Sequence, residues 1–133
     1  MATLVVVTID NKQIIERALS GLIASGEVDS LAGVLHDQFV HHRPDSTSGK
    51  AEWLAAVRAV PIADLRVEIH HLLADGAHVV MHSTRRLAGH GAAITGVDIW
   101  RFQDGLIVEG WEILEPATEA AAHMVWWKSS EMA

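Results

Sequence analysis

The chain of 133 residues is long enough for one domain with one hydrophobic core. Half of its residues are apolar, which excludes a disordered chain, while a net charge of −7 without any run of Lys or Arg argues against a nucleic-acid partner. Because cysteine is absent, disulfides, thiolate catalysis and cysteine-based metal sites are excluded.

The first predicted element is an amphipathic helix over residues 11–25. Asp10 is placed to cap its N-terminus, and Gly26 follows its last turn. The apolar residues that recur at three- and four-residue spacing are Ile14, Ile15, Ala18, Leu19, Leu22 and Ile23. A second, shorter helix is predicted from Val28 to near His36.

A short extended segment from Phe39 to His42 and a loop over residues 45–49 are expected next. Pro44 disfavours helical backbone at Arg43, so no helix continues through this point. A third helix is predicted from Lys50 to about Val60. Its apolar face carries Trp53, Leu54 and Val57.

Beyond this helix the apolar period changes to two, which is typical of β-strands. The first strand begins at Leu65, and Asp75-Gly76 turns the chain into a second strand over residues 78–87. Two more strands, over residues 92–102 and 106–114, complete an antiparallel meander.

This order, with helices over about 11–60 and strands over about 64–115, indicates one α+β domain over residues 1–133. The C-terminal tail, 116–133, is expected to be partly helical and to place Trp126 and Trp127 in a dimer contact or over a pocket. The first residues lack the charged start of a signal peptide and are too few to span a membrane, so we expect a cytoplasmic protein.

The turn at Asp104-Gly105 sets the register of the last two strands. A two-residue loop would pair Gln103 with Leu106, whereas a three-residue loop pairs Phe102 with Leu106. The longer loop is favoured because its two faces are chemically coherent. One face then carries Asp98, Trp100, Phe102, Leu106, Val108, Gly110, Glu112 and Leu114. The other carries Ile99, Arg101, Ile107, Glu109, Trp111 and Ile113, with Arg101 and Glu109 as a diagonal ion pair.

The first of these faces is apolar apart from two acids, Asp98 and Glu112. A carboxylate that is buried without partners costs several kcal/mol, so it either gains hydrogen bonds or its pKa rises. Such a pair suits proton abstraction next to a carbonyl group. The sequence also allows that either acid lies at a wet strand end or pairs with a nearby Arg or His.

Three segments of the chain, in order, resemble the SnoaL-like polyketide cyclases. Phe39-Val40-His41-His42-Arg43-Pro44 is similar to their aromatic-x-Gln-His-Asn-Pro segment. Ala74-Asp75-Gly76-Ala77-His78-Val79-Val80-Met81-His82 is similar to Ala-Asp-Gly-Asp-x-Val-x-x-His. The third segment runs from Val97-Asp98-Ile99-Trp100-Arg101-Phe102 through Asp104-Gly105 to Ile107-Val108-Glu109-Gly110-Trp111-Glu112. It resembles their closing Val-Asp-x-aromatic-Arg-Phe and Asp-Gly-x-Ile-Val-Glu-His-Trp-Asp. The resemblance covers roughly residues 10–115 and extends to the superfamily of ketosteroid isomerase and nuclear transport factor two.

The resemblance implies a cone-shaped fold, with a strongly curved antiparallel sheet wrapped around N-terminal helices and an apolar pocket, and a homodimer. It implies Glu112 as the general acid/base and Asp98 as the donor to a developing oxyanion. Gly110 stands where the family has a histidine, and Glu112 where it has an aspartate. The chain has no tyrosine, so the tyrosine donor of ketosteroid isomerase is missing and that activity is not expected.

His42 and His82 also fall on matched positions. The resemblance implies that His42 acts at the pocket mouth and that His82 binds the substrate. His82 could equally be a structural histidine of the strand. Adjacent histidines on a strand point to opposite faces, so we expect no metal site. Arg85 and Arg86 are expected to be solvated. The aromatic residues expected to contact an apolar ligand are Phe39, Trp53, Trp100 and Phe102, with core packing as the alternative for the tryptophans.

These observations predict acid/base catalysis without a cofactor on a hydrophobic carbonyl compound, by aldol-type cyclisation or isomerisation. Either Glu112 or Asp98 takes the proton, and the other acid or a histidine stabilises the enolate. Two alternatives use the same residues. One is a protein that binds an apolar small molecule without turnover, and the other is a non-catalytic dimerisation domain.

Overall fold

The structure, a computed structural model, describes residues 10–89 and 91–123. The helices of this part are α1 (Asn11–Ser25), α2 (Val28–Ala32), α3 (Lys50–Arg58) and α4 (Ala120–His123). The strands are β1 (Leu35–Arg43), β2 (Ser46–Gly49), β3 (Leu65–Asp75), β4 (His78–Leu87), β5 (Ile94–Gln103) and β6 (Leu106–Pro116). Trp126 and Trp127 lie outside the described residues.

Helix α1 begins and ends as predicted. The Asp10 carboxylate accepts a hydrogen bond from the Gln13 amide at 2.8 Å, and the Gln13 side chain accepts one from the Asp10 amide at 3.2 Å. This reciprocal capping box satisfies two amides that have no partner inside the helix. Gly26, at a φ of 67°, ends the helix in the left-handed conformation that glycine adopts without steric cost.

The region after α1 differs from the prediction in two places. Helix α2 ends at Ala32, not near His36, because β1 already begins at Leu35 and pairs in parallel with β6. Residues 46–49, predicted as a loop, form the strand β2, which pairs with the end of β1. The first difference comes from pairing with the distant strand β6, and the second from a short hairpin in which Arg43 pairs with Ser46. In both places strand pairing overrides the local pattern.

The six strands form one sheet in the order β2-β1-β6-β5-β4-β3. All pairs are antiparallel except β1 with β6, so the sheet is mixed where an antiparallel one was expected. The sheet curves around the helices into the cone-shaped α+β fold. Buried core residues from the helices and the inner face of the sheet include Ile15, Leu35, Phe39, Leu54, Val79, Met81, Trp100, Phe102 and Ile107.

The turn between β5 and β6 has two residues, so the predicted three-residue loop is wrong. Asp104 and Gly105 both have positive φ angles, 53° and 79°, as a type I′ turn requires. A register shift next to Phe102 then adds one residue to β6, so that Asp98 lies directly opposite Glu112. The two acids therefore share a face as predicted, whereas Ile107 moves to the inner face and is fully buried.

We predict that Asp10→Ala lowers the free energy of unfolding by about 1 kcal/mol, because the capping box is lost. Urea denaturation followed by circular dichroism measures this change. Asp10→Asn is the matched control, since asparagine caps helices equally well and should retain the wild-type stability. Equal stability of the alanine variant and the wild type would contradict this role of the cap.

Candidate functional site

Asp98 on β5 and Glu112 on β6 are bridged by one guanidinium group, that of Arg85. Arg85 Nη1 donates to Glu112 Oε2 at 2.8 Å, and its Nη2 donates to Asp98 Oδ2. All three side chains are largely buried, with exposed fractions of 16%, 8% and 12% for Arg85, Asp98 and Glu112. The cation between them offsets the repulsion that two carboxylates in directly opposite positions would otherwise have.

Arg85 reaches the acids along the inner face of the sheet from β4. Its own backbone partner on β5 is Ile94, and its side chain extends over the neighbouring pair of Ser83 and Gly96. Ser83 Oγ accepts a hydrogen bond from Arg85 Nε at 3.3 Å. A Cβ atom at Gly96 would lie 3.0 Å from the guanidinium, so the glycine leaves the space in which Arg85 lies.

A second arginine contacts Glu112 from the other side. Arg43, at the end of β1, donates from Nε to Glu112 Oε1 at 2.9 Å. The two oxygens of one carboxylate are thus bound by two different arginines. Arg43 is about half exposed, whereas Arg85 is enclosed.

These polar groups lie at one end of a cavity of about 160 Å³. The rest of its wall is apolar and comes from α1, α2, α3, the segment that follows α3 and the sheet. The apolar residues that line it include Ile15, Leu19, Leu22, Leu31, Trp53, Val57, Ile62, Met81 and Trp100. A pocket with apolar walls and a few convergent polar groups is the usual form of a small-molecule site.

The two acids differ in proton affinity although they share Arg85. Burial raises the pKa of Asp98 to about 7, and the charge of Glu112 adds to this effect, while Arg85 opposes it. Burial would also raise the pKa of Glu112, but hydrogen bonds from Arg85 and Arg43 outweigh it and hold that pKa below its usual value. Near neutral pH, Asp98 therefore exchanges a proton while Glu112 stays ionised.

A buried histidine, His41, lies beside this site. Its ring stacks on the Trp53 ring with centroids 4.9 Å apart, and only 4% of the residue is exposed. Burial lowers the pKa of His41 to about 4, so the imidazole is neutral at pH 7. His41 pairs in register with Gly110, and its ring lies 3.4 Å from the position of a Cβ at that glycine.

The structure places the predicted site residues in three groups. Asp98, Glu112, Trp53 and Trp100 line the cavity, while Phe39 and Phe102 are buried in the core behind its wall. His42 and His82 lie on the outer face of the sheet, which corrects their expected position in the pocket. His42 contacts Glu109 at 2.7 Å and stacks on Trp111, and His82 contacts His71 at 3.1 Å.

Arg43, His41 and Arg85 were not identified as site residues from the sequence, and Arg85 is enclosed where a solvated side chain was expected. The alternation of β1 carries a signal for the first two, since both share the inner face with buried Phe39. Arg85 likewise shares a face with buried Met81 and Ser83.

Within residues 10–89 and 91–123, no group of three or more His, Asp or Glu side chains is arranged to hold a metal ion. In the same residues, no helix is long and apolar enough to cross a membrane.

Comparisons with known proteins agree with this fold. The sequence profile described as SnoaL-like domain matches residues 15–110. No curated protein matches the chain in sequence. Among solved structures, a candidate ketosteroid isomerase from Kribbella flavida is similar at a TM-score of 0.70 and 19% identity, over 80% of this chain and 78% of its own.

Two further solved structures have the same fold. An LEH-like epoxide hydrolase from M. tuberculosis is similar at a TM-score of 0.64 and 20% identity, over 77% of this chain and 80% of its own. An NTF2-like protein of unknown function from Cytophaga hutchinsonii is similar at a TM-score of 0.69 and 12% identity, over 82% of this chain and 93% of its own. At these identities the likeness concerns the fold.

We predict that Asp98→Asn gains stability relative to the wild type as the pH rises. An acid whose pKa is raised on folding stabilises the folded state at low pH, and this contribution is lost as the pH increases to about 7. Between pH 5 and pH 8, the difference in unfolding free energy should shift by roughly 2 kcal/mol in favour of the asparagine variant. Urea denaturation at both pH values measures it.

The control for this experiment is Asp37→Asn, because Asp37 is an almost fully exposed acid. It removes one negative charge from the surface, so it separates the effect of the buried acid from the general effect of a change in net charge. A difference between Asp98→Asn and the wild type that changes with pH no more than that of the control would show that Asp98 titrates at an ordinary value.

Proposed function

The chain belongs to the SnoaL-like domain family, and on that premise we propose that it is an acid/base enzyme that acts without a cofactor on a small apolar carbonyl compound. The observation that carries this proposal is a carboxyl group with a pKa of about 7, that of Asp98, at the polar end of an apolar cavity. A general acid/base is most effective when its pKa lies near the working pH.

In the proposed reaction the ionised Asp98 takes a proton from the carbon next to the substrate carbonyl. The electron pair of the broken C–H bond moves onto the carbonyl oxygen, and the enolate that forms is stabilised by the guanidinium of Arg85. In an aldol closure the enolate then attacks a second carbonyl carbon, and the alkoxide that forms there takes the proton from Asp98. In an isomerisation of an unsaturated ketone, the conjugated enolate instead takes that proton back at another carbon. Asp98 Oδ2 already binds Arg85, so Oδ1 is the oxygen suited to the proton transfer.

Glu112 has a different role in this proposal. Its pKa is held low by two arginines, so it is a weaker base than Asp98. Its negative charge fixes Arg85 and Arg43 in place and helps to keep the pKa of Asp98 high. Glu112 is therefore a positioning residue here, and Asp98 is the base among the two acids that the sequence left open for that role.

The size of the cavity limits the substrate. A volume of about 160 Å³ is close to that of cavities that admit benzene. A monocyclic compound or a short branched chain fits it, whereas a polycyclic ketone requires the cavity to widen. The apolar wall provides the binding energy for such a body by removing its surface from water.

Epoxide hydrolysis is a second candidate. It is favoured because Arg85 binds two acids of different proton affinity, so that Asp98 can be protonated while Glu112 is ionised. Protonated Asp98 would give its proton to the epoxide oxygen as the C–O bond breaks. A water molecule would attack the carbon and pass its proton to Glu112, which yields a diol. This reaction requires the acid form of Asp98, whereas enolisation requires the base form.

We predict that the protein accelerates the exchange of α-hydrogens of cyclohexyl methyl ketone in D2O, followed by proton NMR. The enzymatic rate should rise with pH and level off above pH 7, because the base form of Asp98 is needed. Asp98→Asn should lower the rate by about 100-fold or more, whereas Asp37→Asn should keep it.

The outcomes separate the candidates. Binding of the ketone without exchange would contradict catalysis of this kind and favour the binding-protein alternative. Hydrolysis of cyclohexene oxide at a rate that falls as the pH rises through 7 would favour the epoxide reaction. Homodimerisation and a cytoplasmic location stay predictions of the sequence.

A further inference from the structure

Arg43 lies at the edge of the cavity and has donor groups to spare. Its Nε is taken by Glu112, and its side chain is 46% exposed while it lines the cavity wall. Among the described residues, no hydrogen bond is made by its two terminal nitrogens, Nη1 and Nη2. A guanidinium presents these nitrogens as a fork that matches the two oxygens of a carboxylate.

The charges around the cavity end favour an anion. Two arginines, Arg43 and Arg85, face two acids, Glu112 and Asp98. Asp98 is the more deeply buried acid and carries a proton up to a pH of about 7. With Asp98 protonated, the four groups sum to one positive charge. An additional carboxylate at the mouth would balance that charge, whereas a cationic ligand would not.

The arrangement also fixes how far apart two ligand groups can lie. Arg43 and Arg85 bind the two oxygens of the same carboxylate, that of Glu112. A ligand that places one oxygen at Arg85 and Asp98 therefore needs only a few bonds to bring a second polar group to Arg43. The remaining wall is apolar and accepts the rest of the ligand.

We propose that the ligand of this cavity is a small keto acid, whose carboxylate binds to the terminal nitrogens of Arg43 and whose apolar body, no larger than one ring, fills the cavity. The proposal rests on the function proposed above, since it uses the same cavity and names its substrate class. Arg43 is the specificity-determining residue. It stands where the resembling segment of the cyclases has an asparagine, so the extra charge is a feature of this chain.

The test compares two probes of nearly the same shape, cyclohexanecarboxylate and cyclohexyl methyl ketone, titrated into the protein by NMR at pH 6. The wild type should bind the carboxylate about 10-fold or more tightly than the ketone, because a charged hydrogen-bonded pair forms with the first probe alone. Arg43→Gln should abolish this preference by weakening carboxylate binding about 10-fold, while ketone binding changes less than about 2-fold.

Arg58→Gln is the matched control, because Arg58 is a half-exposed surface arginine that does not line this cavity. It should keep the wild-type affinities for both probes. Equal wild-type affinities, a preference that survives Arg43→Gln, or no carboxylate binding at millimolar concentration would each overturn the proposal.

Asp98→Asn separates this proposal from the proposed function. It removes the proton-transfer group but leaves Arg43 in place, so the preference for the carboxylate should remain when hydrogen exchange is lost. A preference that remains in a protein without any exchange activity would support the ligand class and contradict the catalysis. Hydrogen exchange by a protein that does not prefer the carboxylate would support the catalysis and contradict the ligand class.

Discussion

The candidate site depends on one guanidinium group that is shared between two buried carboxylates. Strand pairing places Asp98 and Glu112 directly opposite each other on the inner face of the sheet, where two unpaired negative charges would be strongly unfavourable. Arg85 contacts both acids, and Arg43 binds Glu112 from the other side. Burial raises the pKa of the deeper acid, Asp98, to about 7 although Arg85 opposes this effect, and this gives the cavity a group suited to acid/base chemistry.

Three features of the sheet bring these side chains together. The extra residue in β6 brings Glu112 opposite Asp98, which a hairpin without the register shift would not do. Gly96 leaves room for the Arg85 guanidinium over β5. The parallel pairing of β1 with β6 brings Arg43 to the same end of the cavity and places His41 beside Gly110. Where the resembling cyclases have a histidine on β6, this chain thus has an imidazole on the adjacent strand.

Much of the fold could be predicted because its signals are local. The cap at Asp10, the glycine after α1 and the alternation in β3 to β5 each depend on residues a few positions apart. The family resemblance, which rests on short segments within residues 39–112, is confirmed. Only residues 39–42 of β1 were predicted as extended, because the start of this strand at Leu35 depends on pairing with the distant β6. Strand β2 was predicted as a loop. Asp98 and Glu112 were placed on one face by a loop that proved wrong, because a bulge leaves no pattern in the sequence. Arg85 was expected to be solvated because alternation predicts the face of the sheet on which a side chain lies, but not which distant groups a long side chain can reach.

A scaffold that many solved structures share at low identity does not by itself fix an activity, so the chemistry must be argued from the site. The burial of Asp98 and the second arginine on Glu112, Arg43, hold the proton affinities of the two neighbouring acids apart. Carbon-13 NMR of the side-chain carboxyl groups, titrated from pH 3 to pH 9, tests this difference most directly. Asp98 should titrate at about 7 and Glu112 below its ordinary value. Titration of both acids near 4 would contradict it.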